Sequence, residues 1–148
     1  ELTAGARNLE KHLCLFDFQK PIINTAVFFP NTLITFRPQA VISLYNQCAL
    51  LRDILDFDLV DETMVRDGAL EQYQYLLDFF GELPKERIPA HIKIVSGPKE
   101  IPNDIDKEID GVYATLFPDK ILYYNSNNRK VRKGQIEIEP HSIVSVNL

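Results

Sequence analysis

Ile-Ile-Asn-Thr-Ala-Val-Phe-Phe, residues 22–29, followed by Pro30-Asn31, is the stretch that decides the fold. It is rich in β-branched and aromatic side chains, and two turn-forming residues close it. An apolar run of this length, without polar alternation, is typical of a strand that is buried on both faces. The stretch therefore predicts a central strand of a covered sheet.

The segments that follow predict crossover connections between parallel strands. Residues 40–55 come after a loop that contains Pro38, and their apolar side chains repeat at helical spacing. Short strands are predicted at 57–60 and, after a brief turn or helix, at 75–80. The order strand, helix, strand, helical turn, strand is that of a parallel sheet, so this half is α/β.

The pattern changes after Gly81, where proline and glycine recur over a short distance. Such a stretch indicates a linker or an irregular connection. Beyond it, short runs alternate with turn signals, and residues 136–139 alternate strictly between apolar and charged, as a half-solvated antiparallel strand does. We therefore predict an N-terminal helix or linker (1–21), a partial α/β unit (22–81), a Pro-rich connection (82–110) and a C-terminal antiparallel β-domain, a meander or sandwich (111–148).

The charge distribution argues against nucleic acid as a partner. The net charge is −5, and phosphate binding needs a clustered basic surface. The nearest basic cluster is interpreted as the end of a hairpin; it comprises Arg129, Lys130, Arg132 and Lys133.

Hydropathy predicts a soluble chain, because no apolar stretch approaches the ~20 residues needed to cross a bilayer. The chain opens on Glu1 without a basic-then-apolar leader, so we expect the gene product to begin further upstream. The compartment, cytoplasm or periplasm, stays open. Cys14 and Cys48 lie in apolar surroundings and are interpreted as small buried side chains rather than a disulfide framework.

Asp61 and Glu62 are the first candidate contact residues. Glycoside hydrolysis needs two carboxylates that flank the scissile bond, and the segment from Asp53 to Asp67 is acidic. Asp53 itself falls on the polar side of the predicted helix. Asp61-Glu62 directly follows the strand at 57–60, and the carboxyl end of a parallel strand is where ligands of α/β sheets sit.

Nucleophile, metal and phosphate motifs are not found in the sequence. Cys48 falls inside the predicted helix and Cys14 lacks the small-residue elbow that a nucleophile of the amidotransferase type needs. The histidines are too scattered for metal-ligand spacing, and no glycine-rich phosphate loop occurs. We predict no catalytic residue, no metal and no nucleotide cofactor for this chain.

Tyr123, Tyr124 and Asn125 are the second group of candidate contact residues. Aromatic faces and amides are what sugar rings contact, so these residues, with Asn127 and Asn128 nearby, form a candidate carbohydrate platform. Alternate residues of a strand face opposite ways, so one of the two tyrosines is expected in the core.

Two parts of the chain resemble large bacterial glycoside hydrolases. Residues 51–62 (LRDILDFDLVDE), continued by 64–70 (MVRDGAL), resemble the amidotransferase-like, flavodoxin-like domain behind the catalytic barrel, and the strand at 26–30 fits its entry strand. That domain is similar to the trimerisation domain of some β-galactosidases. The tail, at 110–115, 122–125 and 136–143, resembles the terminal β-domain of such hydrolases.

The resemblance implies a non-catalytic structural or assembly region of a hydrolase. The implied fold is a partial flavodoxin-like sheet followed by a small antiparallel β-sandwich, and the implied partner is the hydrolase barrel or a second copy of the chain. The pattern departs from the family after Gly81, where a helix and further strands are expected, so the unit is either abbreviated or a segment of a longer protein. A carbohydrate-binding module and a small amidotransferase-like enzyme remain the alternatives.

Overall fold

The computed structural model describes residues 12, 13, 15, 19–102 and 109–148. The chain forms two compact units: Ile23–Asp106, here called the α/β unit, and Lys107–Leu148 with Glu1–Ile22, here called the β unit. Within the predicted N-terminal helix or linker (1–21), His12, Leu13 and Leu15 are helical, and the residues before 19 other than these three lie outside the described ones. Among the described residues, no helix is both long and apolar enough to span a membrane.

The α/β unit is built on a parallel sheet, as the sequence predicts. Its strands are β1 (Thr25–Phe29), β2 (Asp58–Asp61), β3 (Tyr75–Leu77) and β4 (Lys93–Val95). They lie in the order β2-β1-β3-β4, with every neighbouring pair parallel. This is the strand order of the first four strands of a flavodoxin-like sheet, so the partial flavodoxin-like fold is confirmed.

Helices connect these strands. They are α1 (Asn31–Phe36), α2 (Ala40–Arg52) and α3 (Glu62–Arg66), with 3₁₀ turns at Ala69–Gln72, Lys85–Arg87 and Pro98–Glu100. α1 occupies part of the predicted loop before Pro38, and α2 ends slightly earlier than the predicted helix. The turn into Ala69–Gln72 passes through Gly68, whose φ of 85° is a conformation that favours glycine.

Alternation along β1 divides the core into two layers. Ala26 and Phe28 point to one face of the sheet, where they pack with Val60 and Leu76. Val27 points to the opposite face; there it meets a cluster that includes Leu44, Leu51, Leu77 and Val95. Both faces of β1 are therefore covered, which explains its nearly continuous apolar sequence.

The sheet continues past the predicted end of the α/β unit at Gly81. β4 lies inside residues 82–110, which the proline spacing marks as a connection. It is only three residues long, and its pairing with β3 sets Leu77 beside Val95. So short a strand has no periodicity to detect, and its neighbour in the sheet determines its conformation. β3 is shorter than predicted, because the chain turns at Asp78.

The β unit contains two antiparallel sheets, as predicted for the C-terminal part. β5 (Val112–Leu116), β6 (Lys120–Asn125) and β9 (Ile143–Asn147) form one in the order β5-β6-β9, and β7 (Val131–Lys133) pairs with β8 (Ile136–Ile138). The N–H of Ile22 donates to the carbonyl of Leu116 at 2.8 Å, so Ile22, predicted as the first residue of the α/β unit, pairs with β5 and belongs to the β unit.

Candidate functional site

Asp61, Glu62 and Asn31 meet at the carboxyl edge of the parallel sheet, and we call them the carboxyl-edge network. The register between β1 and β2 sets Phe29 beside Asp61, so the residues that follow both strands converge. Asp61 Oδ2 accepts a hydrogen bond from Asn31 Nδ2 at 2.9 Å, and Asp61 Oδ1 accepts one from the N–H of Met64 at 2.8 Å. Asp61 is thus the N-cap of α3 and a link to α1.

Glu62 holds the first turn of α1. Its two carboxylate oxygens accept from the N–H of Thr32 at 2.8 Å and from the N–H of Asn31 at 3.0 Å. Burial by itself would raise the pKa of Glu62, but hydrogen bonds from the backbone of Thr32, Asn31 and Glu62 itself outweigh it and lower the pKa. The carboxylate therefore stays ionised and serves α1, whose first N–H groups lack helical partners.

Glu62→Gln should lower the free energy of unfolding by about 1 kcal/mol at neutral pH, because one charge-assisted hydrogen bond is weakened and another is lost. Since the folded-state pKa of Glu62 is lowered, its contribution is present above the unfolded-state value and is lost as the pH falls through the folded-state value. Urea titrations should show a difference from wild type that disappears in acid. Glu86→Gln, at an exposed position, is the control. If the loss of unfolding free energy caused by Glu62→Gln did not depend on pH, ionised Glu62 would not be the group that holds α1.

The loop after β3 is organised by Asp78. Its Oδ1 accepts from the N–H groups of Phe80 at 3.2 Å and Gly81 at 3.0 Å, and its Oδ2 accepts from that of Leu83 at 2.9 Å. Flavodoxin-like sheets bind ligands between the carboxyl ends of β1 and β3. Here Phe79 and Phe80, which follow β3, pack against the core layer under α2. The chain's own side chains thus pack beside the usual ligand position.

Two clefts border the carboxyl-edge network. The larger, about 450 Å³, is lined by Thr32, Leu33, Phe36, Arg37, Glu62 and Glu82. The smaller, about 270 Å³, is lined by Phe29, Asn31, Leu59, Asp61 and Met64. Neither lining contains a cysteine or a histidine, so neither pairs a nucleophile with a base in the manner of a hydrolytic triad.

Tyr73 forms a part-buried polar network on the face of the sheet that carries Ala26 and Phe28. Its hydroxyl donates to Asp58 Oδ2 at 2.8 Å and accepts from Gln72 Nε2 at 2.9 Å. Burial, reinforced by the hydrogen bond to Asp58 and by its charge, raises the pKa of Tyr73 to about 12. The phenol therefore remains protonated at neutral pH and acts as a structural donor.

Cys48 lies in α2, as the sequence predicts, and is half-buried. Burial raises the pKa of its thiol, which disfavours the nucleophilic thiolate. Among the described residues, no group of three or more His, Cys, Asp or Glu side chains could hold a metal ion.

The candidate residues of the β unit separate into buried and exposed groups. Tyr123 is 7% exposed and lies in the core, with Lys133 Nζ 5.6 Å from its ring centroid. Tyr124 is 38% exposed and faces the other way, as strand alternation predicts. Its ring stacks on Tyr113 at 6.3 Å between centroids, with 18° between the planes. Tyr113 lies opposite Tyr124 on β5, a pairing that follows from the register of the hairpin and not from sequence proximity.

The amides beside these tyrosines are committed to internal hydrogen bonds. Asn125 is 0% exposed, and its amide nitrogen donates to the carbonyls of Arg129, Ile138 and Glu139. Asn127 Nδ2 donates to the Asp110 carbonyl and to Asn125 Oδ1. Asn125 thus joins β6 to the end of β8 and is not available to a ligand.

The outer face of α2 is a second surface of interest. We define it by the exposed residues Val41, Ile42, Tyr45, Ala49 and Leu50. Leu44 and Leu51 of the same helix are buried against the sheet, and the exposed apolar residues share the outward surface of α2 with Ser43, Asn46 and Gln47. A surface helix normally has a polar outer face, and exposed apolar patches mark interaction sites.

No model of a protein family matches this chain, and no curated protein sequence and no solved structure is significantly similar to it.

Proposed function

We propose that this chain is a non-catalytic structural and assembly region of a glycoside hydrolase, which acts in carbohydrate degradation only together with the catalytic barrel of that enzyme. The observation that carries the assembly role is the group of exposed apolar side chains on α2, because exposed apolar patches mark interaction sites. The assignment to a hydrolase rests on the resemblance of residues 51–62 and of the tail at 136–143 to that family.

The carboxyl-edge network supports the non-catalytic part of the proposal. A general acid or a nucleophile needs a free oxygen directed at substrate. Both oxygens of Asp61 and both oxygens of Glu62 accept hydrogen bonds from the chain itself. These carboxylates hold α1 and α3 on the sheet, which is a structural role.

The two alternative functions have less support. A carbohydrate-binding module needs free amides beside an exposed ring, and Asn125 and Asn127 are committed internally beside Tyr124. An amidotransferase-like enzyme needs a reactive cysteine, whereas the half-buried Cys48 lies within α2 and its thiol pKa is raised.

The purified chain should not hydrolyse aryl-glycosides at a rate above the buffer blank. The measurement is release of nitrophenol from a panel of nitrophenyl glycosides, with Asp61→Asn and Glu62→Gln tested in parallel. Turnover by the wild-type chain that either substitution abolishes would overturn the proposal. The reading frame upstream of Glu1 provides an independent check, since the proposal expects it to encode a catalytic barrel.

A further inference from the structure

We propose that the larger cleft beside the carboxyl-edge network binds one or two rings of a neutral sugar without hydrolysing it. This inference rests on the proposed function for the class of ligand, and it adds the place where the chain contacts that ligand. The lining of the cleft joins residues of α1, which follows β1, to Glu82, which follows β3. In the strand order β2-β1-β3-β4 the direction of winding reverses between β1 and β3, and α/β sheets bind ligands outside that point.

Both walls of the cleft are held in place by the chain itself. Glu62 fixes the first turn of α1, which forms one wall. Glu82 lies on the other wall. Its two neighbours in sequence, Gly81 and Leu83, donate their N–H groups to Asp78 at 3.0 and 2.9 Å. Walls that are ordered before a ligand arrives lower the entropy cost of binding, and small-molecule sites are usually preformed in this way.

Arg37 and Glu82 are the charged groups of this cleft that remain available to a ligand. Both are exposed, and among the side chains that the structure describes none forms an ion pair or a hydrogen bond with either of them. Glu62, in contrast, uses both carboxylate oxygens on α1. A guanidinium only donates hydrogen bonds and a carboxylate only accepts them, so a ligand that uses both must offer acceptors and donors together.

The charge of the cleft favours a neutral ligand. Arg37 contributes one positive charge, whereas Glu62 and Glu82 contribute two negative ones. Phosphates and carboxylates are therefore disfavoured by the net negative charge, and a cation that approached Glu82 would be repelled by Arg37. Neighbouring hydroxyl groups satisfy both side chains without any charge, because each hydroxyl donates one hydrogen bond and also accepts.

Phe36 supplies an apolar surface on which a sugar ring can lie. It is 81% exposed, the highest fraction among the large apolar side chains described, and it lines the cleft together with Leu33. The C–H groups on the face of a pyranose ring make dispersion contacts with an aromatic ring, while the hydroxyls at its edge reach polar groups. The cleft volume of about 450 Å³ is within the range of small-ligand sites.

Nuclear magnetic resonance titration of the isotope-labelled chain with lactose, maltose and cellobiose tests this site. We expect at least one of these disaccharides to bind with a dissociation constant on the order of 1 mM, because so few contacts leave little surplus over the cost of association. The shifted amides should cluster in α1 and in the loop after β3. Phe36→Ala should weaken binding at least tenfold. Tyr45→Ala is the matched control, since Tyr45 is 74% exposed in the same unit but does not line the cleft.

The polar contacts supply the second arm of the test. Glu82→Gln and Arg37→Gln should each weaken sugar binding severalfold, because one loses a charged acceptor and the other the donor fork. Glu86→Gln, at an exposed position outside the lining, should leave binding unchanged. Inorganic phosphate and the zwitterionic dipeptide glycyl-leucine should not displace the sugar.

Three results would overturn the inference. They are the absence of shifts with all three disaccharides at tens of millimolar, tighter binding of phosphate or of the dipeptide than of any sugar, and equal effects of Phe36→Ala and Tyr45→Ala. The proposed function fails on a different measurement, because turnover of nitrophenyl glycosides would contradict a non-catalytic region whether or not the cleft binds sugar.

Discussion

Asn125→Ala should lower the free energy of unfolding of the β unit by about 3 to 4 kcal/mol, because it removes a fully buried amide together with all its hydrogen bonds, including the one to the buried Ile138 carbonyl. The Asn125 amide nitrogen lies 2.9 Å from the Arg129 carbonyl oxygen, 3.1 Å from that of Ile138 and 3.2 Å from that of Glu139. Its Oδ1 accepts from the Asn127 backbone N–H at 3.0 Å. One side chain at the end of β6 thus satisfies polar groups of the following turn and of the end of β8.

Urea denaturation followed by tyrosine fluorescence measures this loss, and amide hydrogen exchange in β6 and β8 assigns it to the β unit. Asn147→Ala is the control, since Asn147 is exposed at the end of β9, and its cost should stay within about 0.5 kcal/mol. Asn125→Asp should be as damaging as alanine at neutral pH, because a carboxylate would face three carbonyl oxygens. Its stability should rise as the pH falls, since protonation restores a donor. An Asn125→Ala cost below about 1 kcal/mol would show that Asn125 is not the link.

Asp78→Ala should cost the α/β unit about 2 to 3 kcal/mol, because three backbone N–H groups lose their acceptor at once. The loss should spread beyond the loop. Leu83, whose N–H is held by Asp78, is itself buried in the core layer that contains Phe28 and Leu76.

Asp78→Asn should cost about half as much, because the amide keeps one acceptor oxygen and turns its NH₂ group toward an N–H donor. Asp67→Ala, at an exposed position after α3, is the control and should change stability by no more than about 0.5 kcal/mol. Thermal unfolding followed by circular dichroism compares the three variants. Equal stability of Asp78→Ala and Asp67→Ala would contradict the role assigned to the loop.

Most of the parallel sheet could be predicted because its strands carry their own signals. Residues 22–29 are mostly apolar without alternation, as expected of a strand covered on both faces, and β1, which begins at Thr25 rather than at Ile22, is such a strand. β4 carried no comparable signal. Its three residues lie among prolines, and they form a strand because β3 offers unpaired backbone groups beside them.

The carboxyl-edge network was predicted in position but not in role. The acidic residues after β2 had to lie at the carboxyl edge of a parallel sheet, and Asp61 and Glu62 do. Their partners, the backbone N–H groups of Asn31 and Thr32, begin α1, about thirty residues earlier in the chain. A hydrogen bond across that sequence separation depends on how β1 and β2 pair, so no local pattern predicts it.

For α2, on which the assembly role rests, the sequence likewise predicted the element but not which of its residues would be buried. Helical spacing in residues 40–55 determined that α2 forms, and strand alternation determined that only one of Tyr123 and Tyr124 would be buried. Spacing does not say which arc of an apolar helix meets the sheet. Packing on Val27 and Leu77 selected Leu44 and Leu51 for the core and left Ile42 and Tyr45 outside. Local periodicity thus specified the elements of this protein, and the contacts between elements distant in sequence decided which residues remain available to a partner.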